Sequence, residues 1–433
     1  MSKHLKILLG GSPCTYWSIS QSSDKRETTA SGIGWELFKN FLIAKEKFEP
    51  DYFLYENNKS MAKSIRNQID IEFNRTYAEN TNWELISSVE EDKGHTKRWL
   101  WINKTTSKTE YITRILINSA LVSAQNRQRY YWTNIPNVPQ PADRGILLKD
   151  ILESGGAWNE KSYCLDASYY KGSNLKHTIE KSVRTMVAEP IRIGDIGSNS
   201  QAHRVYSAEG KSVTINANGG GQGGKTGLYA CPVKYLNDKN METLMRPYGS
   251  KGKILHRDIE KTQTLMSAMG TGGGNGIYIA ENWDGKTYPV YEVKNGLIEI
   301  KGKTYPIKLQ DGFYIIRKLT VNECRRLQTI PDWYKMPCSA SQNYKMLGNG
   351  WTIEVIKHIL SHIPNIANCT IEVLSMYSGM NCDLITLTEL GANVVRCVDY
   401  EIDKYAIQTA SANFPCIEHR GDAFQLRNTN WSY

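Results

Sequence analysis

Cys14 and Glu56 are the residues whose types and positions could perform covalent and acid–base chemistry. Cys14 directly follows Pro13, in a tight turn after the apolar run Leu5 to Leu9, where a thiol faces a crevice and can attack as a thiolate. Glu56 follows a second apolar run, and a carboxyl group placed there can transfer a proton. The ordinary alternatives, a small buried cysteine and a solvated carboxylate at a strand end, stay open at this point.

The first 150 residues alternate between strand and helix patterns that would bring these two side chains together. Leu5 to Leu9 is typical of a buried strand, and an apolar stripe over residues 37–48 predicts a helix. Tyr52 to Tyr55 is typical of a second short buried strand. Since open α/β sheets bind their ligands beyond the carboxyl ends of the strands, we expect Cys14 and Glu56 to share one crevice.

The last 65 residues show a second alternating pattern. Its predicted elements are strands at Ile371–Tyr377 and Val394–Val398 and helices at Leu384–Leu390 and Tyr405–Ala412. Gly379 and Glu401 follow the two strands and lie 22 positions apart, which is the Rossmann arrangement, with the acid on ribose hydroxyls. We therefore expect the two ends of the chain to form halves of one sheet.

The middle of the chain has a different character, with glycine clusters and short β-branched runs. The segment His203 to Tyr229 is echoed by His256 to Tyr278, and each copy contains a strand pattern followed by a glycine-rich loop. This internal repeat predicts a second, β-rich domain. The predicted boundaries divide the chain into residues 1–154, 155–316 and 317–433.

The first glycine cluster, Gly219 to Thr226, satisfies the formula of a phosphate-binding loop, so a nucleotide triphosphatase is a competing hypothesis. That loop functions only where it opens a helix. Gly227, Leu228 and Pro232 follow instead, which indicate a strand and a turn, and the second copy of the repeat lacks the Lys-Thr pair. We interpret both clusters as recognition loops.

Composition excludes several classes of protein. The chain has 433 residues, of which 40% are apolar and 22% charged, as in an ordinary globular protein. Its 53 Lys and Arg against 44 Asp and Glu leave a net charge of +9, which suits a polyanionic partner without requiring one. No apolar run approaches the roughly 20 residues of a membrane helix. The nine cysteines show no CxxC pairing, so we expect reduced thiols, a cytoplasmic location and no metal site.

Several motifs resemble, in this order, those of the DNA cytosine-5 methyltransferases. They are Gly10–Cys14, Tyr55–Asn58, Ser119–Arg129, Lys318–Gln328 and Tyr344–Gly350. Val373–Cys382 and Asp399–Ala406 resemble that family's S-adenosylmethionine motifs, which normally open the chain and here close it. The resemblance implies an α/β, Rossmann-like class I methyltransferase sheet, circularly permuted by a cut between its third and fourth strands. Residues 1–154 would then be the catalytic half of the core, 155–316 a smaller β-rich target-recognition domain, and 317–433 the cofactor-binding half.

The resemblance also implies a mechanism. In that family a cysteine adds to C6 of a cytosine, which makes C5 nucleophilic enough to accept a methyl group. Cys14 would add to C6, Glu56 would protonate N3, and Arg129 would contact the cytosine O2. Arg127 would support the pocket, and Asn57 would brace the Pro13-Cys14 turn.

The cofactor implied by the resemblance is S-adenosyl-L-methionine. Glu401 would hold the ribose hydroxyls and Asp422 would meet the adenine edge. The full set of expected cofactor-binding residues is Pro13, Asn349, Gly350, Trp351, Tyr377, Ser378, Gly379, Met380, Glu401, Ile402, Asp422 and Ala423.

The implied substrate is a cytosine flipped out of duplex DNA, with the polar stretch Ser18 to Trp35 as the loop that closes over it. Candidate DNA-binding residues in the middle domain are Lys211, Lys225, Arg246, Lys251 and Arg257, although such side chains are more often phosphate contacts or solvated charges. A tRNA cytosine-5 methyltransferase and a catalytically silent DNA-binding relative are the alternatives. We expect a monomer in a bacterial or phage-infected cytoplasm, with or without a restriction partner.

Some positions depart from the family pattern. Thr15-Tyr16-Trp17 stands where Gln-Gly-Phe is usual, Asn58 replaces a small apolar residue, and Ser378 and Asn381 replace commoner acidic or small residues and glycine. The stretch from Asn80 to Tyr111 is longer than expected, and we interpret it as a surface insertion rather than a DNA contact.

Overall fold

The computed structural model describes residues 3–18, 24–153, 155–190, 192–195, 204–207, 228–230, 278–281, 287–309 and 312–433. The chain divides into two compact units. The first contains Met1–Ile146, Cys164–Tyr170 and Cys324–Tyr433, and the second contains Leu147–Tyr163 and Lys171–Glu323. The first unit therefore combines both ends of the chain. Within the described ranges, no helix has the length and apolar character needed to cross a membrane.

The elements are as follows. The strands are β1 (His4–Gly10), β2 (Tyr52–Asn58), β3 (Trp83–Glu91), β4 (Thr96–Asn103), β5 (Thr109–Asn118), β6 (Gln128–Thr133), β7 (Met186–Pro190), β8 (Arg192–Asp195), β9 (Arg204–Ser207), β10 (Leu228–Ala230), β11 (Tyr278–Glu281), β12 (Thr287–Lys294), β13 (Leu297–Ile300), β14 (Lys303–Pro306), β15 (Gly312–Lys318), β16 (Thr370–Met376), β17 (Asn393–Tyr400) and β18 (Ile417–His419). The helices are Gly32–Phe48, Lys63–Ala78, Leu148–Ile151, Leu175–Lys181, Val321–Leu327, Ala340–Asn349, Ile353–Leu360, Cys382–Glu389 and Lys404–Ser411.

A nine-stranded sheet organises the first unit, in the order β18-β17-β16-β1-β2-β6-β5-β4-β3. The five strands from β18 to β2 are parallel, and β6, β5, β4 and β3 continue the sheet in antiparallel pairs. β1 and β16 lie side by side from His4 opposite Thr370 to Gly10 opposite Met376. Their carboxyl ends therefore meet at one edge. The predicted α/β class, with a large central sheet, is confirmed.

The middle strands are apolar on both faces because helices cover both sides of the sheet. Leu8 packs with Phe38 and Phe41 of the Gly32–Phe48 helix, whereas Leu9 points to the opposite face and packs with the Ile353–Leu360 helix. This alternation follows from the two-residue period of a strand. The two layers hold β1 rigidly, and the turn that follows it begins from a fixed position.

The stretch from Asn80 to Tyr111, interpreted above as a surface insertion, has regular structure. β3 and β4 lie within it and extend the sheet at its antiparallel edge. Trp99 and Trp101 are 8% and 7% exposed and belong to the same core as Phe38. Tryptophan buries a large apolar area, so these two side chains anchor the added strands to the domain.

The second unit is rich in antiparallel β-structure in its described part. One sheet has the order β14-β13-β12-β15-β7, with β11 paired to β12, and a second has the order β10-β9-β8. Val293, Ile298 and Tyr314 are buried in its core. The glycine clusters and the candidate DNA-binding residues Lys211, Lys225, Arg246, Lys251 and Arg257 lie outside the described residues.

Candidate active site

A cavity of about 460 Å³ lies in the first unit, beyond the carboxyl ends of the parallel strands. Its wall contains residues from both ends of the chain. Among the residues singled out from the sequence, those that line it are Pro13, Cys14, Glu56, Arg127, Arg129, Asn349, Gly350, Trp351, Tyr377, Ser378, Gly379, Met380, Glu401, Ile402, Asp422 and Ala423. Asn57 is buried and does not line the cavity.

The turn that carries Cys14 can form because two glycines precede it. A Cβ on Gly10 would lie 2.6 Å from the carbonyl oxygen of Met376, and one on Gly11 would lie 2.8 Å from that of Glu56. The chain then turns at Pro13, and Cys14 begins a short 3-10 turn in which its carbonyl oxygen accepts hydrogen bonds from the next turn of backbone. The thiol is half-buried at the cavity wall.

A buried polar network lies beneath this turn. The Asn57 amide donates to the carbonyl oxygen of Ser12 over 3.1 Å, and the hydroxyls of Ser12 and Tyr55 are 2.6 Å apart. Burial raises the pKa of Tyr55 well above its usual value, so its phenol stays protonated. Asn57 therefore braces the turn through Ser12, and Tyr55, which the sequence analysis did not single out, completes the network.

Glu56 is held through both of its carboxylate oxygens. Arg129 Nε lies 2.9 Å from Oε1, and the Trp351 indole Nε1 donates to Oε2 over 3.1 Å. Burial opposes the charge on Arg129, but the neighbouring Cys164, Glu56 and Cys14 raise its pKa, so the guanidinium stays cationic. Trp351 had been predicted only as a cofactor contact. Nothing in the sequence pattern indicated that a residue 295 positions away would contact the acid.

Arg127 is almost fully buried and joins separate segments of the wall. Its guanidinium donates to the carbonyl oxygens of Gly348 and Gly350 over 3.2 and 2.8 Å and to that of Leu165 over 3.0 Å. These bonds hold the backbone on either side of Asn349. Arg127 thus supports the wall rather than facing the cavity with a free guanidinium.

Cys164 is a second thiol in this region that no sequence motif indicated. Its sulfur lies 3.4 Å from Arg127 Nη1 and 3.8 Å from Arg129 Nη2. Burial works against ionisation, but the two guanidinium groups lower the pKa of Cys164. It was missed because only the tertiary structure brings the segment Cys164–Tyr170 to this unit.

The other end of the cavity is organised by Glu401. Its Oε2 accepts from the backbone N–H of Gly379 over 2.8 Å, and its Oε1 accepts from the N–H groups of Ile402 and Asp403. Burial raises the pKa of Glu401, and these N–H donors oppose the rise. The side chain of Ile402 is 77% exposed at the rim, which leaves an apolar surface for a planar ligand. The hydroxyl of Ser378, which also lines the cavity, donates to Asp399 over 2.7 Å.

The structure accounts for the asparagine at position 381. Tyr377, Gly379 and Asn381 all have positive φ, at 59°, 55° and 57°. Asparagine tolerates this left-handed conformation better than other residues with a side chain, so it can replace glycine there. Its amide Nδ2 also donates to the buried Asp399 over 2.9 Å.

The other departures hold the backbone around the nucleophile. The Asn58 amide donates to the carbonyl oxygen of Cys14 over 3.3 Å. Trp17 is fully buried, and its indole N–H donates to Glu27 over 3.1 Å. These contacts tie the Cys14 turn to β2 and to the chain that precedes the Gly32–Phe48 helix. Within the described ranges, no group of three or more His, Cys, Asp or Glu side chains could hold a metal ion.

Comparisons with known proteins agree with this arrangement. The family model for C-5 cytosine-specific DNA methylases matches residues 1–365. The type II methyltransferase M.HhaI of Haemophilus parahaemolyticus is 22% identical over 372 residues, which cover 84% of this chain and 76% of that protein. The orphan methyltransferase M.SPBetaI of Bacillus phage SPbeta is 22% identical over 382 residues, which cover 80% and 71%. A solved structure of a Spodoptera frugiperda DNMT2 mutant is 15% identical over 82% of this chain and 78% of that chain, with a TM-score of 0.31, too low to bear on the fold.

Proposed function

Because the chain belongs to the C-5 cytosine-specific DNA methylase family and is a DNA cytosine-5 methyltransferase, we propose that its substrate is a cytosine flipped out of duplex DNA. It methylates C5 of this base through a covalent bond between Cys14 Sγ and C6. The observation that supports this mechanism most strongly is the single cavity that Cys14 and Glu56 share with residues 377–380 and 401. A thiol, an acid and a cofactor-sized space must coincide for this reaction, and here they do.

The proposed steps assign one task to each side chain. The Cys14 thiolate forms a bond to C6 while Glu56 delivers a proton to N3, so that the electron pair of the C5–C6 double bond moves onto C5. Loss of the C5 proton to water after methylation restores that double bond and expels the Cys14 sulfur as a thiolate, and N3 returns its proton to the Glu56 carboxylate. Arg129 lies 2.9 Å from Glu56 and stays cationic, so it orients the acid and can donate to the cytosine O2.

S-adenosylmethionine is the proposed cofactor, and it supplies an electrophilic methyl group. The residues present fit it. Glu401 is fixed by three backbone N–H groups and keeps oxygen lone pairs for ribose hydroxyls, and the exposed Ile402 beside it can cover an adenine ring. Asp422, at the same cavity wall, can accept from the adenine edge. Pro13, Asn349 and the other predicted wall residues would enclose the remainder of the molecule.

We propose circular permutation as the origin of this motif order. The cofactor motifs lie on β16 and β17 near the end of the chain, and the nucleophile follows β1 at its beginning. The parallel pairing of β1 with β16 supports the proposal, because strands from the two ends of the chain are neighbours in one sheet. Such a sheet tolerates a new terminus between strands. Only the short segment Ser361–Cys369 would be needed as the new connection.

The substrate proposal is duplex DNA read by the β-rich middle of the chain, in the cytoplasm of a bacterial or phage-infected cell. Its support is the net charge of +9 and the DNA methyltransferase relatives from a bacterium and a phage. The ladders β12-β15 and β8-β9 in the described part offer rigid elements from which loops can project. Lys211, Lys225, Arg246, Lys251 and Arg257 stay predictions as DNA contacts.

Covalent trapping tests the mechanism. The wild-type protein is incubated with S-adenosylmethionine and duplex DNA that contains 5-fluorocytosine, whose C5 substituent cannot leave as a proton. We expect a denaturation-resistant adduct with the wild type and with Cys416→Ser, a matched control at an exposed thiol, and none with Cys14→Ser. Cys14→Ser should still bind the cofactor. An adduct with Cys14→Ser would refute the proposed nucleophile.

The same assay separates the alternatives. Methyl transfer to tRNA and not to duplex DNA would favour a tRNA enzyme, and DNA binding with no adduct in the wild type would favour a silent relative. Bisulfite sequencing of DNA from cells that express the chain then identifies the methylated bases and their sequence context.

A further inference from the structure

Two buried side-chain oxygen atoms near the start of the Cys382–Glu389 helix have no hydrogen-bond partner among the described residues. They are Asn381 Oδ1 and Asp383 Oδ2. Asn381 is fully buried and Asp383 is 2% exposed, and Asp383 belongs to the cavity wall. A buried polar atom without a partner costs free energy, roughly 1–3 kcal/mol for a neutral group and more for a charged one. Because Asp383 is part of a cavity wall, its oxygen without a partner points to a ligand that donates a hydrogen bond.

The neighbouring groups already have partners. Asp383 Oδ1 accepts from the backbone N–H of Leu384 over 2.8 Å. Asp399 accepts from Ser378 and Asn381 through Oδ2 and contacts His419 through Oδ1. The amide of Asn381 is fixed in orientation by this bond, so its carbonyl oxygen cannot exchange places with the nitrogen. The Ser375 hydroxyl also hydrogen-bonds the Asp383 carboxylate, and a ligand in the cavity can supply a further donor.

The part of the cavity wall that carries Asp383 is connected to the catalytic acid. A Cβ on Gly350 would be 3.0 Å from Met380 and 3.4 Å from Cys382, the residue that precedes Asp383. Trp351, the next residue after Gly350, contacts Glu56. The proposed ribose and adenine contacts, Glu401 and Asp422, belong to other segments of the wall.

We propose that Asp383 binds the α-ammonium group of the methionine part of the cofactor. This inference rests on S-adenosylmethionine being the cofactor. The methionine part continues from the sulfonium, and its ammonium is a cation with three N–H donors, which matches a buried carboxylate with an oxygen that lacks a partner. Asp383 lies in the first turn of the Cys382–Glu389 helix. Ser375, which hydrogen-bonds Asp383, lies near the carboxyl end of β16.

The titration of Asp383 adds a pH signature. Burial raises the pKa of Asp383 to about 6, the nearby Asp399 raises it further, and Ser375 and the Leu384 amide oppose the rise. The other titratable groups that face it are Cys382, Cys397 and Tyr334. Burial raises the pKa of all three, so they are neutral at pH 7. Ligand affinity should fall as the pH drops through about 6, when the carboxylate is protonated.

Calorimetric binding tests the assignment with two non-reacting ligands. S-adenosylhomocysteine carries the amino-acid part, and 5′-methylthioadenosine lacks it. At pH 7.5 we expect Asp383→Asn to weaken S-adenosylhomocysteine binding by roughly 10- to 100-fold, the range of a charge-assisted hydrogen bond, and to change 5′-methylthioadenosine binding less than about twofold. Glu389→Gln, an acid-to-amide change on the same helix outside the cavity wall, should leave both affinities unchanged.

Each result has one meaning. Equal loss of both ligands would overturn the inference, because the substitution would have damaged the cavity as a whole. Unchanged S-adenosylhomocysteine binding by Asp383→Asn would also overturn it and would indicate that water satisfies the carboxylate. If wild-type protein binds neither ligand, the proposed cofactor itself is wrong. Loss of the decline in affinity below about pH 6 in Asp383→Asn would support the ionised carboxylate as the contact.

Discussion

The buried carboxylate of Asp383 should destabilise the folded protein at neutral pH, and Asp383→Asn should relieve that effect. The pKa of Asp383 is raised by burial to about 6, against an ordinary value of 3.8. The folded state therefore binds a proton more tightly than the unfolded chain does. Stability falls as the pH rises from about 4 to about 6 and stays lower above that range. At 1.36 kcal/mol per pKa unit, the difference corresponds to about 3 kcal/mol.

Urea denaturation of the wild type and Asp383→Asn between pH 4.5 and pH 8 measures this effect. We expect the variant to be more stable by up to about 3 kcal/mol at pH 7 to 8, with the advantage shrinking toward pH 4.5. Glu389→Gln serves as the control and should show no such pH-dependent gain. A variant that is less stable than the wild type at pH 8, or a difference that does not change with pH, would refute the reasoning. A gain in stability together with a loss of ligand affinity would show that this acid is retained for binding.

Four further substitutions, one of them a control, test particular contacts. Trp351→Phe keeps a ring but removes the N–H that holds the acid, so adduct formation on 5-fluorocytosine DNA should slow by about tenfold while S-adenosylhomocysteine affinity changes little. Tyr55→Phe removes a buried hydroxyl beneath the nucleophile turn and should lower the free energy of unfolding by about 1 kcal/mol in urea. Gly348→Ala would place a methyl group 2.2 Å from a backbone carbonyl carbon and should lower the free energy of unfolding by about 3 kcal/mol. Gly391→Ala is the control, because Gly391 has a φ of +68° but open space around it, and it should lower the free energy of unfolding by only about 1 kcal/mol. Similar losses for both variants in urea denaturation would contradict the steric argument.

Hydrophobic patterning predicted the elements of the sheet closely. The strand expected at Ile371–Tyr377 is Thr370–Met376, and the helix expected at Tyr405–Ala412 is Lys404–Ser411. These segments have strong periods of two or 3.6 residues, which depend only on local sequence. The sequence pattern did not predict that Asn80–Tyr111 would add strands, because β3 is exposed along most of its length and lacks a buried face.

Two contacts that the sequence analysis did not predict join residues far apart in the chain. Trp351 donates to Glu56, and Cys164 contacts both Arg127 and Arg129. A spacing rule compares residues on one element, so it cannot predict contacts between segments that only the folded sheet brings together. The roles of these residues in the reaction stay predictions until the variants are measured.

The sequence alone identified the chemical groups: a thiol after Pro13, an acid at position 56 near the end of the next strand and a second acid at position 401. Local patterns suffice for these because each group lies at or shortly after the carboxyl end of a strand whose apolar residues predict that it is buried. Tertiary structure alone decided which groups contact one another and which oxygens of Asn381 and Asp383 are left without partners. Those outcomes depend on the parallel pairing of β1 with β16, which places residues more than 360 positions apart at one edge of the sheet.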